Sequence, residues 1–407
     1  MTLDELLAVY RRHLYLPDPS PLLAVLATIV ANRLDGGDAV WLLLVGPPSS
    51  GKTELLNAVH KLDDVHVVST FTEAGLLSGA VSRRPGATGG LLAQMGGQGI
   101  LCLKDFTSFL SEAAETRRGL IAALREVYDG SWVRHLGSEG GRSIGWTGKA
   151  GLVGAVTETI DSYAAVMGSM GERFALCRMP ELDDEGRLAQ ARKAFDNAGR
   201  QVTMREELAQ ATEAFLDGVT LPAEPEPIDE MAKETFVRLA DLATRCRSTV
   251  ERDERTREVE LVPQPECAAR LQAVLVQLTR ALWTIGVNDE ATQRLVVKIA
   301  LDGTTKARAR IIRLMARTPP MTFWTAAQVA DQVGMPTAPI GRALDDLAAH
   351  AVVNRHAEQT PYRWAPSDWF RQRWHELKID ESTAGGDLAP SAQEQEHYAE
   401  DDDGEEF

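Results

Sequence analysis

Eight consecutive residues, Gly46-Pro47-Pro48-Ser49-Ser50-Gly51-Lys52-Thr53, have the types and spacing needed to hold a phosphate chain. They match GxxxxGK[ST], and they lie between a predicted buried strand, Ala39 to Val45, and a predicted helix, Glu54 to Leu62. In that context backbone N–H groups of the loop and helix start can wrap phosphate oxygens. Lys52 can reach the outer phosphates of a nucleotide, and the Thr53 hydroxyl can join a Mg²⁺ shell. The expected ligand is ATP with Mg²⁺.

The elements around the loop read as an α/β sheet. Short apolar runs at Ala39–Val45, Val65–Thr70, Ile100–Leu103, Leu152–Thr157 and Phe174–Met179 have the continuous pattern of parallel strands covered on both faces, with helical stretches between most of them. Two helices, 3–14 and 21–34, precede them. From about Leu182 the pattern turns helical to about residue 317, broken by the proline-rich stretch Leu221 to Pro227. The chain divides into N-terminal helices (1–36), a nucleotide-binding core (37–180), a helical lid or linker region (181–303), a small winged-helix domain (304–370) and an acidic tail (371–407).

Further landmarks follow the loop in order. The segment Gly89-Gly90 to Phe106 carries a turn, an apolar strand and then Lys104-Asp105, the latter an acid at a strand's C-terminal edge, where α/β sites form. Strands on either side of a Ser/Gly-rich turn make a hairpin over 131–147, with Arg134, His135 and Arg142 as basic residues that could meet nucleic acid or a partner, or simply lie on the surface. The next strand ends in Thr157. Then comes Met167-Gly168-Ser169-Met170-Gly171-Glu172-Arg173-Phe174.

This succession, from Ala39 to Pro180, resembles the AAA+ ATPases, and within them the bacterial enhancer-binding activators and minichromosome-maintenance helicases. The resemblance implies a P-loop AAA+ core with a parallel sheet, a homo-oligomer, and ATP hydrolysis coupled to a DNA transaction. Lys52, Asp105, Thr157 and Arg173 would be its catalytic residues, Asp105 to orient a Mg²⁺ shell or polarise an attacking water, Thr157 as the polar sensor and Arg173 as an arginine finger acting on a neighbour's nucleotide. Arg173 could instead be a structural partner of Glu172. Those families usually end the second strand in Asp-Glu, whereas this chain has one carboxylate. The departure leaves open a nucleotide-gated regulator with little turnover. Arg270, at the start of a long helix, is a candidate second sensor at the nucleotide.

Residues 304–366 resemble a winged helix-turn-helix in shape and spacing: helices Thr305–Ala316, Thr325–Val333 and Ala338–His350, then two short strands around a polar turn. Arg342 on the third helix and Arg355, His356 and Arg363 on the wing are the candidate DNA contacts. Asp345 and Asp346 stand beside Arg342, so a protein contact competes with a DNA contact.

The net charge of −16 argues against a chain that coats nucleic acid with its whole surface. Eleven acids and no Lys or Arg lie between Asp380 and Phe407, which leaves −5 for residues 1–379. A tail so acidic and so poor in apolar residues is expected to be disordered. The four cysteines lack CxxC spacing, which favours neither a disulfide framework nor a zinc site. The acidic N-terminus is unlike a secretory signal, and no apolar run is long enough for a membrane span, so a cytoplasmic location is expected.

Overall fold

The computed structural model describes residues 1–69, 72–77, 90–135, 143–171, 173–253, 255, 258–356 and 360–379. Helices α1 (Leu3–His13) and α2 (Ser20–Arg33) lead to strand β1 (Trp41–Val45) and helix α3 (Lys52–Ala58). Strand β2 (Val65–Val68) and short helices α4 (Glu73–Leu76) and α5 (Leu91–Met95) precede β3 (Gln98–Leu103). After α6 (Phe106–Leu110) and α7 (Ala114–Tyr128) come β4 (Ser131–His135), β5 (Ser143–Thr147) and β6 (Lys149–Val156). A 3-10 turn over Glu158–Tyr163, helix α8 (Ala164–Ser169) and β7 (Phe174–Arg178) complete the first half.

Five strands form one parallel sheet in the order β2-β3-β6-β1-β7. All five residues of β1 are buried, as expected for a central strand with helices on both faces. Its side chains alternate between two cores. Leu42 and Leu44 face a large cluster with α2, α3 and later helices, whereas Trp41, Leu43 and Val45 face α6, α7 and the hairpin. Trp41 is fixed by an indole hydrogen bond to the Ala150 carbonyl (2.7 Å) and by Tyr128 and Phe174 against its ring.

Strands β4 and β5 pair antiparallel, with Trp132 opposite Trp146, so the expected hairpin is present up to His135 and from Ser143. Its turn, including Arg142, lies outside the described residues, as do Gly89 and Glu172.

The second half is mainly helical: α9 (Asp184–Asp196), α10 (Gln201–Asp217), α11 (Glu230–Arg247), α12 (Ala269–Thr284) and α13 (Asp289–Asp302). Helix α12 packs on α2 and α13 on β7. The stretch in which helices are expected to dominate also contains a two-stranded ribbon, β8 (Glu251–Arg252) with β9 (Val259–Leu261). Strands this short do not establish a period in the sequence.

The third unit holds α14 (Lys306–Arg317), β10 (Trp324–Thr325), α15 (Ala326–Val333), α16 (Thr337–Ala349), β11 (Val353–His356) and β12 (Arg363–Pro366). Its strands form an antiparallel sheet in the order β10-β12-β11. Thr325 and Gln328 make a capping box at the start of α15, and Gly334 at φ +62° ends that helix. A further helix, α17 (Asp368–Glu376), crosses the expected boundary at residue 370. Phe370, Leu377 and Ile379 are buried, so the packed chain reaches Ile379 rather than stopping at 370, and the acidic segment from Asp380 lies outside the described residues. Among the described residues no helix is long and apolar enough to cross a membrane.

Candidate functional site

The Gly46–Thr53 loop leaves the C-terminal end of β1 and enters α3. Its first residue is gripped from both sides: Gly46 N–H donates to the Val156 carbonyl of β6 (3.2 Å), and Met179, just past β7, donates to the Val45 carbonyl (2.7 Å). A Cβ at position 46 would stand 2.8 Å from Met179 Cγ, so only glycine fits this close approach. Gly51 sits at φ +87°, in the region where a side chain is strained. Gly46 is buried while Pro47, Pro48 and Ser49 form an exposed rim, with Ser50 and Gly51 between.

Lys52 is only 8% exposed and turns back on this loop. Its ammonium donates to the carbonyls of Gly46 (2.7 Å) and Pro47 (2.6 Å) and to Ser50 Oγ (3.1 Å), using all three donors. Burial holds its pKa below the ordinary lysine value, against the opposing pull of the Glu158 carboxylate. Phosphate oxygens are stronger partners for a partly desolvated ammonium than neutral carbonyls are. The next residue, Thr53, is exposed, and Glu54 anchors α3 to α10 through Arg205 (2.8 and 2.7 Å).

The strands beside the loop end at the same edge of the sheet, where ligands of open α/β sheets collect. Asp105, two residues past β3, caps α6 by accepting from Thr107 N (2.9 Å), Ser108 N (3.4 Å) and Ser108 Oγ (2.5 Å). Burial pushes its carboxyl up, but those hydrogen bonds outweigh it and leave the pKa lowered. Thr157, following β6, is joined to this corner: its N–H donates to Thr107 Oγ1 (3.1 Å), and its hydroxyl lies 3.3 Å from Thr107 Oγ1 and 2.5 Å from Thr159 Oγ1. Lys52, Thr53, Asp105 and Thr157 are therefore all at or just beyond the C-terminal ends of β1, β3 and β6.

Arg173 and Arg270 are not part of that edge. Arg173 immediately precedes β7, whose first residue pairs with Trp41 at the start of β1, so roughly 15–20 Å of strand separates it from the loop of its own chain. It is buried, donates to the Met170 carbonyl (2.6 Å) and to both oxygens of Asp129 (2.9 and 2.8 Å), and lies over the Tyr128 ring. Arg270 donates to the Gly171 carbonyl (2.7 Å) beside it. This places Arg270, the candidate second sensor, beside Gly171 and Arg173 rather than beside the Gly46–Thr53 loop of its own chain.

In the third unit Arg342 is exposed on α16. The neighbouring acids face inward or sideways: Asp346 accepts from Arg308 (2.5 Å) and Arg252 (2.6 Å), and Asp345 pairs with Arg355 (3.4 Å). His356 and Arg363 are cross-strand neighbours on the exposed sheet, His356 meeting the Phe323 ring edge-on.

An ionic cluster beside the loop has no counterpart among the sequence motifs. Arg178, at the end of β7, donates to Asp161 (2.6 Å) and to the carbonyls of Asp302 (3.1 Å) and Thr304 (2.9 Å). Lys306 ties α14 to Glu158 (3.1 Å) and Glu181 (2.9 Å). The cluster joins distant stretches of the chain; only an acid placed directly after a strand end could have singled out Glu158. Among the described residues no group of three or more His, Cys, Asp or Glu could hold a metal ion alone. Cys102, Cys177 and Cys246 are buried free thiols, and burial pushes Cys102 up to about 11 and Cys246 up to about 12.

No family model and no curated protein matches the chain. Solved structures do. Two apo structures of the NrS-1 C-terminal region (CTR), in the A form, are similar at 11% and 13% identity, with TM-scores of 0.29 and 0.28; each pairing covers 90% of this chain and 76% of the other. Likeness at this level bears on neither fold nor activity.

Proposed function

We propose that the chain binds ATP at the Gly46–Thr53 loop and hydrolyses it to ADP and phosphate as an AAA+-type ATPase with a P-loop core. The observation that carries this reading is Lys52, a buried ammonium held inside a loop whose backbone demands glycine at 46 and 51, with three strand ends beside it. A buried cation satisfied only by carbonyls and one hydroxyl is poised for an anion.

The donors near the loop suit a Mg²⁺ that arrives with the phosphates and keeps most of its water: the exposed Thr53 hydroxyl and one carboxylate, Asp105. The ion would neutralise charge on the phosphate oxygens. Lys52 would bind the outer phosphates, and Thr157, held by Thr107 and Thr159, would orient a hydroxyl toward the reacting edge. For Arg173 to act on a neighbour's nucleotide in a homo-oligomer, it would exchange Asp129 for the phosphate. The three-helix unit with its antiparallel sheet is read as a winged helix that contacts DNA through Arg342, Arg355, His356 and Arg363, or an unidentified protein partner; the 131–147 hairpin is a second candidate for nucleic-acid contact. The work done by hydrolysis would be a DNA transaction of helicase, loader or mobile-element type.

One observation favours slow turnover, and with it a nucleotide-gated regulator: both oxygens of Asp105 are already engaged in capping α6. Steady-state phosphate release against protein concentration, with and without duplex DNA, separates the readings. Super-linear turnover supports the assembled ATPase; tight ATP binding with no turnover supports the regulator.

A further inference from the structure

Strand β3 ends in one carboxylate where hydrolysis needs two tasks done, ion orientation and water activation. One short carboxylate cannot do both at once. The Asp105 oxygens are engaged at the start of α6, and its strand is separated from β1 by β6. At about 4.8 Å between neighbouring strands, the end of β3 lies roughly 10 Å across from the loop's origin, and the end of β6 only about 5 Å.

Glu158 follows the end of β6 by two residues, at the start of the 3-10 turn. The loop is bonded to that strand end through Gly46 N–H and the Val156 carbonyl. The Glu158 side chain is 43% exposed, so it is open to solvent rather than packed in the core. Two cations act on it. Lys52 feels its charge, and Lys306 Nζ donates to its Oε1 at 3.1 Å. Lys306 is itself fixed by Glu181 and, through its backbone N–H, by Asp161 Oδ2 (2.7 Å).

Resting on the reading of the loop as an ATP site, we propose that Glu158 is the carboxylate that activates the attacking water, positioned by Lys306 from the first helix of the third unit. In the step, the water oxygen forms a bond to the γ-phosphorus as the bond from that phosphorus to the bridging oxygen of ADP breaks. The water proton passes to the Glu158 carboxylate and from there to solvent. Asp105 is then left to the ion. Because the positioning cation belongs to α14, any movement of the third unit on meeting a partner would move Glu158 as well.

The test uses the full chain and two measurements, equilibrium binding of ATP with Mg²⁺ and steady-state phosphate release. Glu158→Gln is isosteric and exposed, and should bind ATP within about threefold of wild type while turnover falls by a factor of about 10² or more. Lys306→Gln should lower kcat about tenfold with KM unchanged, and Lys306→Arg should restore most of it; a merely structural role would move melting temperature and KM instead. Turnover by Glu158→Gln within about threefold of wild type overturns the proposal. So does a wild-type chain that binds ATP but releases no phosphate at any protein concentration. A wild-type chain that does not bind ATP overturns the ATP-site reading instead, and the proposal with it.

Discussion

Arg173 and Asp129 are joined by one guanidinium nitrogen that reaches both carboxylate oxygens, at the edge of the sheet opposite the phosphate-type loop. The pair is lopsided in burial. The arginine side chain is 9% exposed and the aspartate 52%, so the carboxylate is the partner that can be traded for another anion without unpacking the core. That asymmetry makes Arg173 testable in two ways at once.

Arg173→Ala removes the cation over Tyr128 and the donor to the Met170 carbonyl, and should cost roughly 1–3 kcal/mol in denaturant unfolding. ATP affinity should stay within about twofold, since the loop is a strand length away. If the guanidinium serves a neighbour's nucleotide, turnover falls in this variant, and mixing it with Lys52→Ala protein restores part of the activity. Joint loss of ATP affinity and stability, with no rescue on mixing, would make Arg173 a packing residue only.

His350 offers a pH test of the third unit. Burial lowers its pKa, against the Thr249 carbonyl and helped by the nearby Arg308 charge. The folded state therefore takes up its proton at lower pH than the unfolded chain does. Its contribution to stability is complete above the ordinary histidine value of 6.5 and is lost as pH falls through the lower folded value. Melting of the wild type should thus drop faster between about pH 7 and 5 than melting of His350→Gln. Parallel curves would show that the imidazole does not titrate differently on folding.

The described chain ends at Ile379, which is buried. Truncation after that residue should change the melting temperature by less than about 2 °C, since a segment with eleven acids and few apolar residues has little to bury. Phe370→Ala, inside the same C-terminal segment, should cost about 3–5 kcal/mol, because the ring is wholly buried. A large drop on truncation would show that the acidic segment docks.

Local information makes β1 and its loop legible in the sequence. Five apolar residues in a row, a glycine that must pass close to Met179 and a glycine at positive φ all leave their mark within one short run of the chain. The corner made by Asp105, Thr107 and Thr157 is legible only in its ends. Thr107 and Thr157 stand 50 positions apart, and no period or motif encodes their meeting. Arg270 lies away from the Gly46–Thr53 loop because helical periodicity says which face of α12 is apolar but not which end of the sheet the helix starts beside. The ribbon β8–β9 and the helix α17 escape for a related reason: Arg252 is defined by Asp346 on a distant helix, and Phe370 by the core it enters.

For the third unit, Arg355→Ala with Arg363→Ala should weaken duplex DNA binding uniformly across sequences and lower the salt slope by about one for every phosphate that is no longer neutralised. Fluorescence anisotropy over a salt series measures both. An unchanged slope would move the unit's role to a protein contact.

ATP affinity of Lys52→Ala, measured by equilibrium binding beside a thermal melt, bears most directly on the loop. The ammonium lies on its own loop's carbonyls and on no distant element, so the melting temperature should shift by no more than a few degrees. Affinity for ATP should fall by a factor of about 30 or more, corresponding to about 2 kcal/mol for the charge-assisted bonds that the ammonium would make. Equal affinity in the variant and the wild type would contradict the assignment of the Gly46–Thr53 loop to nucleotide phosphate.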